Sequence, residues 1–551
     1  MKKFFTFLAM AALAIGTMTA QWVPSDTEST RLDAEGAQGQ TQMQTLRTDD
    51  GKIILTWLRG ERVNDYFSYQ LHLQLFDANG NAMFGDEGIV VCDKPTRSWT
   101  TAYALALAPN GDILIAYNDI RNDLTGDNSE AFLYRYTQQG EPVWGADGIL
   151  FNPAKFHENA FAIEDASLKL CVSGDNIYFA ATHIEYYMEE ANEDNWSPSP
   201  WFPNQEMPDS VQLDDSAWMI VKVSDDGSFS EPMRLNSTIC TMDAAPEGNI
   251  YLVYDNKENY GLDAQLLNNE LTNVWEAPVT VEQRAISSGS FVPTPITAVN
   301  EDNNLMLTYR VLASFYGYQV VNQLTPEGVT ASEAVSCNNS IDGDAGSASM
   351  GVKENRAMVA WEWAYSASEN HMNVNVIDDD NNFFWNGDLT YGLSLETNDM
   401  WGFTPVKVIP VSVGWVVLYG NCTSWNGANF MVVKIDEFGN ILSTKQICED
   451  NFKSNGFAVT YDENNAYIFY TQDPQYDDNW NEIPGSGGMF VMCVDINGKP
   501  SSIEDVQTSD EIVKTEIFTL DGRPATEMSH GVYIVRKTDA NGNVTSTKVM
   551  K

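Results

Sequence analysis

The chain has 551 residues and a formal net charge of -46, because 77 acidic residues outnumber 31 lysines and arginines. Such a charge argues against nucleic acid as a partner, since phosphate neutralisation needs clustered basic side chains. The seven cysteines form no Cys-x-x-Cys pair, so the sequence indicates neither a zinc site nor a disulfide framework.

Residues 1–20 have the layout of a secretory signal peptide. Lys2 and Lys3 precede an apolar stretch from Phe4 to Ile15, and small residues follow it. We therefore expect the mature protein to begin near Gln21. No other stretch reaches the roughly 18 apolar residues that a membrane helix needs. The mature chain is expected to be soluble, or attached to a membrane by other means.

Residues 21–500 contain a repeat. Eight times an apolar strand runs into a short polar turn, most often polar-x-x-Gly. The turns begin at Asp77, Thr137, Ser224, Asn268, Thr325, Asp378, Asp436 and Asp495. Their spacing, from 44 to 87 residues, fits four short strands per unit and predicts an all-β fold, a β-propeller with eight blades. Seven blades plus an irregular unit is the alternative. Tandem β-sandwiches fit less well, because no linkers between modules are visible.

The second strand of each unit has a common pattern. Its apolar positions alternate and lead to an aromatic residue at the sixth place in seven of the eight copies. These aromatic residues are Trp57, Tyr117, Tyr254, Tyr309, Trp361, Tyr419 and Tyr470. Ala181 takes that place in the third unit. Short strands of this composition suit a buried sheet, so we expect the aromatic residues to pack in the core.

The eighth unit shows three strands and no obvious fourth. Gly498 follows its third strand and leads into a segment with different spacing. A propeller needs its last blade to meet its first. We expect the stretch from Gln21 to Leu32 to supply the missing strand and so to join the two ends of the ring.

The connections between second and third strands are predicted to be long. They span residues 58–68 in blade 1, 118–130 in blade 2, about 185–216 in blade 3 and 472–488 in blade 8. Because strands alternate in direction, these connections share one face with the links between blades, and tight turns occupy the other. Long loops of compact domains are usually functional or disordered. The predicted ligand-binding residues of this face are Tyr66, Tyr186, Tyr187, Trp196, Trp201, Trp363, Trp425 and Trp480.

No catalytic motif stands out. Acid pairs are too numerous for a glycosidase pair to be selected. The five histidines are dispersed along the chain, at His72, His157, His183, His371 and His530. Calcium is the one cofactor that the sequence suggests, at Asp119, Asp123 and Asp127, because carboxylates clustered in a loop suit a hard cation. A solvated loop is the alternative.

Residues 501–551 break the repeat and carry other motifs. These are Ile503-Glu504-Asp505-Val506, the run from Glu516 to Arg523, the run from Gly531 to Arg536 and the ending Lys548-Val549-Met550-Lys551. The segment resembles the type A C-terminal sorting domain of proteins exported by the type IX secretion system. Its matching residues include Asp521, Gly522, Arg523, Gly531, Tyr533 and Lys551. A small terminal β unit with an Asp-Gly turn is the alternative.

The resemblance implies where the protein is delivered in the cell. Cargo of this system passes through the periplasm of a Gram-negative bacterium and crosses the outer membrane with the type IX secretion machinery. After removal of the sorting domain, it is released or attached at the outer cell surface. With the aromatic loops, this predicts a secreted or cell-surface propeller that binds extracellular glycan or protein. The alternatives are a polysaccharide-degrading enzyme, either a hydrolase or a lyase, and an adhesin or scaffold without a small-molecule site.

Overall fold

The structure is a computed structural model, and it describes most of the chain from Trp22 onward. The described residues are 22, 24–25, 28–33, 40–63, 66–97, 101–124, 128–192, 194–197, 207–237, 240–256, 261–282, 295–313, 316–330, 335–337, 344–366, 369–378, 380, 382–385, 392–395, 406–424, 427–447, 452–472, 483, 487–497, 512–519, 523–525, 532–539 and 544–550.

Eight antiparallel sheets of four strands make up the part of the chain before residue 498. The first strands of blades 1 to 8 are Gln40–Arg47, Tyr103–Leu107, Ala162–Ser173, Cys240–Ala244, Ile296–Val299, Asp344–Lys353, Val406–Val411 and Phe452–Tyr461. The second strands are Ile53–Val63, Ile113–Asp119, Asn176–Glu190, Ile250–Asn256, Leu305–Ala313, Arg356–Ser366, Gly414–Ser424 and Asn465–Gln472.

The outer half of each sheet contains the third and fourth strands. The third strands are Tyr66–Phe76, Glu130–Tyr136, Ser210–Val223, Gly261–Leu267, Tyr316–Leu324, Glu369–Ile377, Gly427–Asp436 and Gly488–Asp495. The fourth strands are Ile89–Cys92, Ile149–Leu150, Met233–Leu235, Val279–Glu282, Val335–Ser336, Leu393–Leu395, Ile441–Ile447 and, for blade 8, Thr30–Arg31. A single turn of 3-10 helix, Pro246–Gly248, precedes the second strand of blade 4.

The blades form a closed ring. The first strand of each blade contacts the preceding blade, and the first strand of blade 1 contacts blade 8. Blade 8 is completed by the N-terminal strand Thr30–Arg31, in which Thr30 pairs with Val491 in antiparallel register. The prediction of an eight-bladed propeller is confirmed, and so is the expectation that the N-terminal stretch supplies the last strand.

The hydrophobic core lies mainly between neighbouring blades. One cluster joins the aliphatic residues Leu114 and Leu133 of blade 2 to Phe179 and Val221 of blade 3. Burial of each such side chain contributes about 1.5–3 kcal/mol to stability. All seven aromatic residues at the sixth place of the second strands are buried, as predicted. Ala181, which replaces the aromatic residue in blade 3, is buried as well.

The polar turns after the third strands bind an aromatic side chain of the preceding blade. The indole N–H groups of Trp144, Trp275 and Trp385 donate to backbone carbonyls in the turns of blades 3, 5 and 7 at 3.0, 2.8 and 3.0 Å. In blade 5 the turn residue Gly328 has φ +77, and the Trp275 ring lies 3.0 Å from where a Cβ of Gly328 would stand. The repeated glycine therefore fits both the turn and its neighbour.

The connections between second and third strands differ from the prediction in blades 1 and 3. The segment 58–68 is mostly paired strand, with Leu58 opposite Leu71 and pairing that continues to Val63 opposite Tyr66. In blade 3 pairing extends to Glu190 and Ser210. The prediction of a long loop was wrong in blade 1, whereas in blade 3 a long connection remains between Glu190 and Ser210, with narrower bounds than predicted. In both blades backbone pairing continues beyond the apolar core into residues whose polar composition resembles a loop.

The unit from Gly498 to Lys551 is separate and contains one more four-stranded antiparallel sheet. Its strands are Ile512–Thr519, Pro524–Ala525, Val532–Asp539 and Val544–Met550. Of the predicted sorting residues, Arg523 is exposed and Tyr533 lies in a strand, whereas Asp521, Gly522, Gly531 and Lys551 lie outside the described residues. In the described part of the chain, no helix has the length and apolar character to span a membrane.

Candidate functional site

A cluster of polar and aromatic side chains lies at one end of blade 3, where its second strand meets the link from blade 2. That link is the segment 151–161. Along the second strand, side chains alternate between two faces, so His183, Glu185 and Tyr187 share the face that carries Phe179 and Ala181. Because Phe179 and Ala181 pack against blade 2, the three polar residues continue the same interface toward the link.

The inner part of this cluster is a buried group of three ionisable side chains. His183 Nδ1 lies 2.7 Å from Oδ1 of Asp165, and His183 Nε2 lies 3.3 Å from Oε1 of Glu185. The relative exposures of the three residues are 2%, 1% and 0%. Asp165 stands directly opposite His183 in the sheet, which explains why the first hydrogen bond is short.

The two buried carboxylates also hold backbone groups of other segments. Glu185 accepts hydrogen bonds from the backbone N–H groups of Phe156 and His157 at 2.7 and 2.8 Å. Asp165 Oδ2 accepts from the backbone N–H of Ala131 in blade 2 at 3.0 Å. The Phe156 ring meets the His183 ring edge to face, at 5.2 Å between centroids. The link and blade 2 are therefore both fastened to blade 3 through this group.

The outer part of the cluster reaches solvent. The His157 ring stacks on Tyr187 with centroids 3.8 Å apart and planes 11° apart. His157 Nε2 lies 3.1 Å from Oδ2 of Asp215, and Arg234 Nη2 donates to both oxygens of Asp215 at 3.1 and 3.0 Å. The Arg234 guanidinium also lies over the Phe156 ring, 3.8 Å from its centroid. The result is a partly exposed pair of stacked rings beside a carboxylate that contacts both an imidazole and a guanidinium.

The opposite face of the same hairpin carries a second, smaller contact. The Tyr186 hydroxyl donates to Oε2 of Glu164 at 3.4 Å, and Arg97 lies 3.9 Å from the same carboxylate. Trp196 follows at the tip, where its backbone N–H donates to the carbonyl of Asn192 at 3.0 Å. Tyr186, Tyr187 and Trp196 are thus placed on one hairpin, as far as the described residues extend.

The local environment shifts the pKa of three groups in the cluster. Burial by itself lowers the pKa of His183, but the hydrogen bonds and charges of Asp165 and Glu185 outweigh it and raise that pKa. Burial tends to raise the pKa of Asp215, yet the hydrogen bonds from Arg234 and His157 lower it overall. The pKa of Tyr187 is raised by partial desolvation and by nearby carboxylates, so its hydroxyl stays protonated at neutral pH.

The other predicted binding residues do not join this cluster in the described part of the chain. Trp363 lies in the second strand of blade 6, opposite His371, and packs against the core between blades 5 and 6. Tyr66 begins the third strand of blade 1, but its side chain lies outside the described residues. Trp201, Trp425 and Trp480 lie outside them as well.

The predicted calcium residues have other partners where the structure describes them. Both oxygens of Asp119 face the guanidinium of Arg121, with the closest approach at 2.6 Å, and Asp123 Oδ2 accepts from the backbone N–H of Asn128 at 3.1 Å. Asp127 lies outside the described residues. Among the residues that are described, no three metal-ligating side chains form a group that could hold a metal ion. Calcium binding here stays a prediction, and Asp119 would have to release Arg121 to take part.

The sequence did not single out His157, Asp215 and Arg234. They come from the link, the third strand and the fourth strand, and His157 and Asp215 are 58 positions apart along the chain. One signal was present: blade 3 lacks the aromatic residue at the sixth place of its second strand, and His183 and Glu185 follow that position at alternate places. His72, also buried, stacks on Trp57, and burial lowers its pKa to about 4.

No protein-family model matches the chain, and no curated protein matches it. Solved structures resemble it at low identity. A protein of unknown function from Dyadobacter fermentans is 9% identical, with 84% of this chain and 98% of that chain covered and a TM-score of 0.37. A polysaccharide lyase is 10% identical over 88% of this chain and 95% of its own, with a TM-score of 0.36. A Hadza microbial sialidase is 11% identical over 78% and 74%, with a TM-score of 0.32. At these TM-scores the matches carry no argument about activity.

Proposed function

We propose that the protein is a secreted or cell-surface propeller that binds an extracellular glycan or protein at the hairpin end of blade 3. The observation that carries this proposal is the partly exposed stack of His157 on Tyr187 beside the Asp215 and Arg234 pair. Flat rings pack on the apolar faces of sugars and of peptide side chains, while carboxylates and guanidinium groups bond hydroxyls and amides. Such a surface needs no catalytic group.

Export by the type IX secretion system is the second part of the proposal. It is supported by the signal-peptide layout of residues 1–20 and by the sorting motifs of residues 501–551. The machinery of that system would be the first partner of the chain, in the periplasm of a Gram-negative bacterium. Attachment at the outer cell surface would follow removal of the sorting domain. There the hairpin end of blade 3 meets glycans and proteins outside the cell.

A double substitution tests the binding site. In the full chain, Tyr187→Ala together with Trp196→Ala removes two aromatic rings from the hairpin. We expect the ligand that a glycan array or an immobilised panel of extracellular proteins identifies for the wild-type chain to bind at least about tenfold more weakly, because aromatic anchors dominate such interfaces. The matched control is Phe438→Ala, which removes an aromatic side chain that is 74% exposed in a turn of blade 7.

Unchanged ligand affinity of the double variant would contradict the proposed site. An equal loss of affinity in the control would contradict the claim that the ligand binds on one face of the propeller. The turn that contains Phe438 follows a third strand and therefore lies on the other face of the propeller. The same glycans are also assayed for release of reducing-end or unsaturated sugars. Release would identify a polysaccharide-degrading enzyme in place of a binding protein.

A further inference from the structure

The blade 2–blade 3 interface contains a feature that core packing does not require. At this interface the protein buries Asp165, His183 and Glu185, whose exposures are all 2% or less. Burying charged groups is costly unless geometry and hydrogen bonds compensate, and apolar residues of similar volume often stabilise a protein as well or better. A group of three buried ionisable side chains therefore calls for a role beyond stability.

The hydrogen bonds of the three residues indicate that role. Glu185 holds two consecutive backbone N–H groups of the link, those of Phe156 and His157. His157 is the residue whose ring stacks on Tyr187 at the surface. His183 contacts Glu185 on one side and Asp165 on the other, so it sits between the carboxylate that holds the link and the carboxylate that holds blade 2.

Charged and titratable side chains surround the buried group on several elements. In the described part of the chain, the ionisable groups that contact His183 are Asp165 on the first strand and Glu185 on the second. Asp215 on the third strand pairs with Arg234 on the fourth and with His157 on the link. Blade 2 contributes the backbone N–H of Ala131 and the side chain of Asn118, which donates to the Asp165 carbonyl. Arg234 and His157 pair with Asp215, whereas the His183 ring lies between the two buried carboxylates and contacts both.

We propose that Asp165, His183 and Glu185 are positioning residues, and that protonated His183 holds Glu185 against the link and thereby fixes His157 over Tyr187. Loss of the His183 proton leaves two carboxylates at the interface without a cation between them. Their repulsion weakens the hold of Glu185 on the Phe156 and His157 amides and frees the link. The role of the link in a ligand site rests on the proposed function. The hold of the three residues on the link is independent of that function.

The direction of the pH dependence follows from the shift of His183. Its pKa is raised in the folded protein, so the folded state binds the proton more tightly than the unfolded chain does. The stabilisation is fully present below the unfolded value of about 6.5 and is lost as the pH rises through the higher folded value. The link is therefore expected to be held at mildly acidic pH and released on the alkaline side.

Hydrogen exchange of the full chain, without any ligand, tests the proposal. Mass spectrometry measures the protection of peptides that cover residues 151–161, corrected for intrinsic exchange, at about pH 6 and about pH 8.5. In the wild-type chain we expect protection of the Phe156 and His157 amides to fall at least about tenfold between the two pH values, as hydrogen bonds to a charged group are lost. In His183→Gln protection should be low at both, and the pH dependence should disappear.

Two controls separate positioning from a general loss of structure. Glu164→Gln changes the neighbouring carboxylate, which faces the other side of the sheet and bonds Tyr186, and should leave protection of the link unchanged. His72→Gln changes the buried histidine of blade 1 and should also leave it unchanged. If His183→Gln does not fold, the pH comparison in the wild-type chain decides by itself.

Equal protection of the link at both pH values in the wild-type chain would overturn the proposal. So would a pH dependence that survives in His183→Gln. Because this measurement uses no ligand, its outcome is independent of the binding test with Tyr187→Ala and Trp196→Ala. Suppose that protection of the link depends on pH but the double variant binds its ligand as the wild-type chain does. The positioning role would then stand, and the ligand site would be refuted.

Discussion

The fourth residue of the polar turns must adopt a positive φ and must leave room for a neighbouring aromatic ring, and glycine does both. Gly80 in blade 1 has φ +80, and atoms of the Trp22 ring lie 2.6 Å from where its Cβ would stand. The left-handed conformation alone does not exclude a side chain, because Leu271 holds the same place in blade 4 with φ +59. The close approach of the aromatic ring from the neighbouring blade is the stronger constraint.

Two glycines in one blade separate these requirements experimentally. Gly85 has φ +77, similar to that of Gly80, but nothing lies within 4 Å of its missing Cβ. We expect Gly85→Ala to lower the free energy of unfolding by about 1 kcal/mol through the backbone alone. Gly80→Ala should cost about 1–3 kcal/mol more, because Trp22 must shift. Urea unfolding followed by tryptophan fluorescence measures both, and equal losses would mean that the ring contact adds nothing.

At the scale of an element, the N-terminal strand decides whether the ring closes. Thr30–Arg31 is only two residues long, so its pairing with blade 8 is reinforced by contacts on either side. Arg31 forms an ion pair with Asp33 at 2.9 Å, and Asp33 accepts from the backbone N–H of Met489 at 3.0 Å. Upstream, Trp22 is buried against Phe76 of blade 1, with ring centroids 4.8 Å apart. The segment thus fastens blade 8 and blade 1 together.

Trp22→Ala is expected to weaken this closure. Trp22 also packs within 6 Å of the rings of Tyr467 and Phe469 in blade 8, at 5.8 and 5.9 Å between centroids, so its loss opens a cavity between two blades. The free energy of unfolding should fall by about 3–5 kcal/mol, the usual range for a buried tryptophan. Trp196→Ala, at the partly exposed hairpin tip of blade 3, is the matched control and should cost far less. A loss of similar size in both variants would contradict the role of Trp22 in closure.

At the scale of the whole molecule, features that depend on short stretches of sequence were predicted. Contacts between segments that are distant along the chain were missed. Blade number follows from strand period and turn chemistry, which are readable in short windows. Hairpin length in blade 1 was missed, because strand pairing from Leu58 to Val63 depends on the partner strand rather than on composition. Tyr186 and Tyr187 could be predicted from the composition of their segment. The contacts of His157 with Tyr187 and with Asp215, and of Arg234 with Asp215, could not, since three strands and a link bring these residues together.

The net charge of -46 makes self-repulsion a property of the whole chain, and salt should therefore stabilise it. At about pH 7, raising NaCl from about 10 mM to about 300 mM shortens the screening length from about 30 Å to below 10 Å. We expect the thermal midpoint of the propeller to rise by several degrees, because screening of like charges outweighs the small contribution of exposed ion pairs. All 15 tryptophans lie between Trp22 and Trp480, so tryptophan fluorescence reports the propeller without the C-terminal unit.

The pH supplies the control for this salt effect. Near the isoelectric point of about 4.2, protonation of carboxylates removes most of the net charge, and the gain from NaCl should largely disappear. An equal gain at both pH values would assign the effect to salt acting on apolar burial rather than on charge. A midpoint that falls with salt at about pH 7 would mean that ion pairs such as Arg135 with Asp112 and Asp225 contribute more to stability than repulsion removes. Because repulsion acts on every blade while each ion pair joins only two segments, we expect the stabilising response.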